Sequence, residues 1–135
     1  MSIVSVRAAL QTKLNGIAGS IAVAWENVGY TPVVGTPYQA AFVMAATPDN
    51  PTVGDGFYRE QGIFQVSLFY PLQAGTATAE ARAQLIRTTF KRGTGMVSGG
   101  VTVLVDKTPE IGQGRVDGDR WHIPVKIRWS AGVIA

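Results

Sequence analysis

The sequence predicts an α+β fold in one domain, residues 1–135: a mainly antiparallel sheet with two helices packed on one face. Three observations predict it. Apolar residues recur at steps of three and four in two segments, one at the N-terminus and one over about 76–92. Elsewhere they alternate with polar residues, most clearly over 121–129. The connections of the second half are short and rich in turn residues, as between hairpin-linked strands.

Ile3, Val6, Leu10, Leu14 and Ile17 fall on one face of the first helix, which Ser2 can cap and Asn15-Gly16 can stop in a left-handed conformation. A short strand is expected around Ile21–Trp25. Residues 29–37 hold two prolines and two glycines and read as an extended arm or loop. Tyr38 to Ala46 is almost wholly apolar, which predicts a strand covered on both faces. A long loop then spans 47–61, with Pro48, Pro51, Gly54 and Gly56, and such loops are often functional. From Gly62, the residues Phe64, Val66, Leu68 and Tyr70 face one way and Gln65 and Ser67 the other.

The second helix has a buried stripe of Ala79, Ala83, Ile86 and Phe90, widened by Leu85. Thr76 or Thr78 caps its start, Lys91 and Arg92 complement its negative end, and Gly93 stops it. Val101, Val103 and Val105 predict a strand, and another is expected within Glu110–Val116. Asp117-Gly118 is a hairpin signal. In the last strand Trp121, Ile123, Val125, Ile127 and Trp129 point inward, with His122, Pro124, Lys126 and Arg128 outward. Pro124 cannot donate to a ladder, so the strand is expected at an edge or with a bulge.

At 14.3 kDa the folded monomer should expose roughly 6,800 Å², enough burial for a core without staples. Charged residues make up 16% and the mean hydropathy is +0.14, a lean polar surface that fits either assembly or an ordinary apolar monomer. With no cysteine, disulfide scaffolds, zinc–cysteine sites and thiol nucleophiles are excluded. No apolar run is long enough to span a membrane, and the N-terminus lacks a signal-peptide layout. The net charge of +3 is uneven: residues 1–70 carry three bases and four acids, residues 71–135 nine and five. The bases stand singly apart from Lys91-Arg92, a weak footprint for phosphate binding.

No catalytic constellation emerges. One histidine, His122, cannot make a usual zinc site, and Val97-Ser98-Gly99-Gly100 is not a nucleophile elbow. Gly93-Thr94-Gly95 and Gly112-Gln113-Gly114 lack the strand–loop–helix order of phosphate loops and read as turns. Asp117-Gly118-Asp119 is half a calcium loop without its closing glutamate. No cofactor, metal or enzymatic activity is expected. The tryptophans Trp121 and Trp129 fit core packing better than base stacking.

The stretch from Pro48 through Asp55-Gly56-Phe57-Tyr58-Arg59-Glu60-Gln61-Gly62 to Val66 resembles the central segment of small phage tail terminators. So do Ile3–Leu10, Trp25-Glu26-Asn27, and Val116–Val125 followed by Ile127-Arg128. The resemblance runs nearly end to end. It implies an α+β virion protein, assembled in the bacterial cytoplasm, that caps the tail tube as a ring, usually of six. Such a ring stops tube growth and presents the head-joining surface. The partners implied are other copies of the chain, the tube protein and a head–tail connector, with DNA passing through unread and no membrane contact. The alternatives are another neck ring, such as a head-closure or tail-completion component, and a small nucleic-acid-binding module.

The candidate contact residues are Asp49, Asn50, Asp55, Phe57, Tyr58 and Arg59 in the long loop, with His122, Lys126 and Arg128 on the last strand. Phe57, Tyr58 and Arg59 are types favoured at interface centres. The competing reading has Phe57 and Tyr58 anchoring the loop on its own sheet.

Overall fold

The computed structural model describes residues 2–17, 21–51, 53–54, 56–73 and 75–134, residues 2 and 134 by their backbone alone. The order is α1 (Ser2–Asn15), β1 (Ala22–Trp25), β2 (Tyr38–Ala45), β3 (Phe57–Pro71), α2 (Ala77–Thr89), β4 (Gly95–Ser98), β5 (Val101–Val105), β6 (Glu110–Ile111), β7 (Arg115–Asp117) and β8 (Arg120–Ile134). These strands form a single mixed sheet, β1-β2-β3-β8-β5-β4, with β6 and β7 also on β8. β1 runs parallel to β2; the other pairings are antiparallel. Residues 26–37 are therefore a crossover, of about the dozen residues that a parallel link requires.

The spine is the pair β3–β8, in unbroken register from Phe57↔Ile134 to Pro71↔Arg120. Period two sends Phe64, Val66, Leu68 and Tyr70 of β3, and Ile123, Val125, Ile127 and Trp129 of β8, into one core. Val6, Leu10 and Leu14 from α1 join the same cluster with Ile17 just beyond it, as do Ala79, Ala83 and Ile86 from α2 with its C-cap Phe90. Phe64 and Phe90 meet with ring centroids 5.9 Å apart.

Several expectations are corrected. β3 begins at Phe57, not Gly62, so residues 57–61 of the expected loop 47–61 are strand and the rest is the tip of a β2–β3 hairpin. Its base is closed by Ala46 N–H to the Gln61 carbonyl, and by reciprocal backbone bonds between Asp49 and Arg59. β2 is not covered on both faces, because Phe42 and Met44 are exposed. β8 is no edge strand. It is flanked by β3 on one side and by β5, β6 and β7 on the other. Pro124 is tolerated because its carbonyl accepts from Gly112 N–H. Its nitrogen faces the same flank, at the break between β6 and β7, where no ladder donor is required.

In α2, Leu85, expected to widen the stripe, is exposed, and Arg82 is buried. Thr76 stands at the N-cap without a side-chain capping bond, and Thr78 lies inside the helix. The helix ends at Thr89, and Gly93, at φ +88°, turns the following segment toward β5. The first helix stops at Asn15 with the Gly16 amide on the Thr12 carbonyl and no left-handed residue. Ile3 is exposed, and the proposed Ser2 cap rests on a side chain outside those described. β4 was not expected: Met96 is buried and Val97 exposed, an alternation too short to read alone.

Candidate assembly surface

The face of the sheet opposite the core is organised by register into rows across β2, β3 and β8. Tyr38, Phe69 and His122 form one row, and Ala40, Ser67 and Pro124 the next. Phe42, Gln65 and Lys126 follow, then Met44, Ile63 and Arg128. The last two rows are open. Phe42 is 38% and Met44 43% exposed; across Gln65 and Ile63 of β3, the same rows end in the half-buried Lys126 and the exposed Arg128. An apolar pair and two cations on one open face are chemistry suited to a protein contact rather than to catalysis.

The first row is closed. His122, expected to face outward, is buried and lies parallel to Phe69, with centroids 4.7 Å apart and planes 7° apart. Tyr38 stacks on the other face of Phe69 at 4.9 Å, and Tyr30 leans on Tyr38 at 5.2 Å. Neither imidazole nitrogen has a hydrogen-bond partner; Nδ1 is 4.0 Å from an Asp117 carboxylate oxygen. Burial holds the imidazole pKa below its ordinary value, helped by nearby Arg115 and opposed by Asp117. The neutral ring is favoured, so it packs as an aromatic.

Over this row lies the crossover 26–37, tied down by Arg120. The Arg120 side chain is buried, with Nη1 donating to the Thr36 carbonyl and Nη2 to the Val33 carbonyl at 2.6 Å. Its guanidinium carbon stands 5.1 Å from the Tyr38 ring centroid. Burial raises the Tyr38 phenol pKa, and Arg120 opposes that shift. Sequence reasoning missed Arg120, because its partners lie more than eighty residues away and are backbone atoms.

The crossover is anchored at its other end by Glu26. Its carboxylate accepts from Arg7 Nη1 at 2.8 Å and from the Val43 amide at 2.7 Å. β1 stops at Trp25↔Ala41, and Glu26 supplies the next acceptor for β2 by side chain. Burial disfavours the Glu26 carboxylate, but the Arg7 and Val43 bonds outweigh it and the pKa is lowered.

The remaining candidates lie toward the hairpin tip. Asn50 is exposed, and Asp49 is bridged to Arg59 with a 3.5 Å ion pair in solvent. Phe57 packs against Gly132, where a β-carbon would stand 3.1 Å from the ring, so it anchors the hairpin to β8. Tyr58 is half-buried on the opposite side of the strand. Asp55 lies outside the described residues. His122 is thus separated from Lys126 and Arg128 by the Pro124 row, and from the hairpin residues by the length of the strand.

The glycine turns have steric roles. Gly112 sits against Pro124 and Gly114 against the Trp121 indole, where side chains would collide. Among the described residues no group of three His, Cys, Asp or Glu side chains could hold a metal, and no helix is long and apolar enough to cross a membrane.

A family model described as phage tail terminator protein matches residues 5–129 of the chain. A solved structure superposes with a TM-score of 0.79 at 28% sequence identity, covering 97% of this chain and 96% of that one. No curated protein matches the chain.

Proposed function

Given that the chain belongs to the phage tail terminator family, a family of structural proteins of the virion tail, we propose that it caps the finished tail tube as a ring of six copies. The ring stops tube polymerisation and offers the surface to which the DNA-filled head is joined. The family match over residues 5–129 carries this reading. The open rows of the sheet support it. An exposed Phe42–Met44 pair is surface that a monomer gains nothing by leaving in water.

The test is to inactivate the gene in its phage and measure tail lengths by electron microscopy. Overlong tails of variable length, without heads, are expected. Tails of normal length that fail to join heads would assign the chain to the neck instead.

A further inference from the structure

Resting on that ring reading, we propose that residues 29–37 form a preformed docking tip. It seats in the groove between α1 and β4 of the next copy and is held in position by Arg120. No charged residue occurs between Glu26 and Asp49, an uncharged run that includes the whole tip. The tip is nevertheless on the surface. Val34 is 88% exposed and Val33 59%. It is also ordered: the Thr36 amide bonds to the Val33 carbonyl, Gly35 takes φ +79°, and Arg120 grips both carbonyls from below. Two valines thus project from a braced turn instead of folding back onto the sheet. A tip ordered in advance loses little conformational entropy on docking.

An open groove of small, mixed apolar and polar lining is present on the same chain. Ala9, Thr12 and Gly16 of the α1 segment face Met96 and Val97 of β4 across an open groove of about 450 Å³. Lys13 is the one charged residue on its wall. The tip brings no charge of its own into the groove that must find a partner. β1, which leads into the tip, and β4, which walls the groove, are the two ends of the strand order. A tip at one end and its receptor at the other are two different patches, as the head-to-tail contact of a ring requires. They join copies head to tail, the arrangement that closes a ring under rotation.

The chain contains no cysteine, so an introduced pair reports a single contact. Full-length Val34→Cys, Val97→Cys and the double variant should each be supplied to phage lacking the gene. Assembled tails are then treated with a short bismaleimide and run on a denaturing gel. The double variant should give a ladder of covalent multimers, and either single variant only the monomer. A monomer band alone from the double variant, in tails that end at normal length, overturns the docking proposal and leaves the terminator reading intact. Tails of normal length without the gene would instead sink the terminator reading. As a second arm, Val34→Asp should melt as the wild type does yet fail to restore tail length; full restoration would overturn the proposal.

Discussion

Gly62 lies beneath the indole of Trp129: a β-carbon at this position would stand 2.9 Å from Cζ2 of the ring and collide with the Met44 carbonyl oxygen. It is the point where β2, β3 and β8 press together, since Gly62 pairs with Ala45 on one side and Trp129 on the other. One of the two obstacles is backbone, which a rotamer change cannot move. Gly62→Ala should therefore destabilise the fold by roughly 1–3 kcal/mol or more, as overpacked sites do. Urea denaturation measures it, and a midpoint equal to wild type would contradict the crowding.

Glu26 makes a different kind of prediction. Its folded-state pKa is lowered, so its contribution is present above the unfolded value of about 4.3 and lost as pH falls through the folded value. Both partners of the Arg7–Glu26 pair are about a third exposed. Removing the charge with Glu26→Gln should therefore cost only about 0.5–1 kcal/mol at neutral pH, and flatten the stability curve below pH ~5. Glu26→Ala also strips the acceptor from the Val43 amide and should cost about 1 kcal/mol further. Melting temperatures of the three proteins across pH 3–7 separate the two effects.

What was legible in the chain was whatever a short window contains. Ala79, Ala83, Ile86 and Phe90 sit where their spacing put them, and so does the alternation from Trp121 to Trp129. The first third of β3 escaped because Arg59, Glu60 and Gln61 look like loop residues. Their strand character comes from pairing with Gly132, Ala131 and Ser130, far along the chain. Pro124 misled for the same reason: its missing donor matters only relative to neighbours, and β6 and β7 leave a gap at that point. The candidate surface was half readable. Lys126 and Arg128 fall on the open face as period two requires, whereas His122 shares that face and is buried by Phe69 and the flanking Arg115–Asp117 strand.

His122 is the chain's one histidine, which makes its titration separable from any other. Its folded pKa is lowered, so the unfolded chain binds the proton more readily and stability falls as pH drops below about 6.5. Since neither ring nitrogen is hydrogen-bonded, His122→Phe gives up no bond and extends the stack on Phe69. The variant should match or exceed wild type at pH 5 and lose the decline between about pH 7 and 5. An imidazole proton resonance in the folded wild type that titrates above 6.5 would contradict the burial argument.

Lys126 and Arg128 should matter to assembly and little to folding. Arg128 is exposed and Lys126 half-buried, and neither side chain makes an ion pair among the described residues. Reversing both charges with Lys126→Glu and Arg128→Glu should shift stability by no more than about 0.5 kcal/mol per site, the range for surface changes. If the open rows face a partner, the same protein should fail to restore tail length in phage lacking the gene. Normal restoration would remove these two residues from the contact surface.

Arg120 tests whether the crossover is held by a fork or merely by a charge. Nη1 and Nη2 reach two different carbonyls, Thr36 and Val33, while the plane of the guanidinium covers Tyr38. A lysine at this position keeps the charge, but a single ammonium on a flexible stem does not reproduce that planar fork. Arg120→Lys should therefore lose roughly 1.5–3 kcal/mol, the worth of a hydrogen bond to a charged group. The loss should be local before it is global. Limited proteolysis should cut Arg120→Lys within 29–37 under conditions that leave the wild type whole, because the released segment has no other described side-chain tie than the Tyr30–Tyr38 contact. Equal protection in both proteins would mean that charge alone holds the crossover, and that the fork geometry contributes nothing to its order.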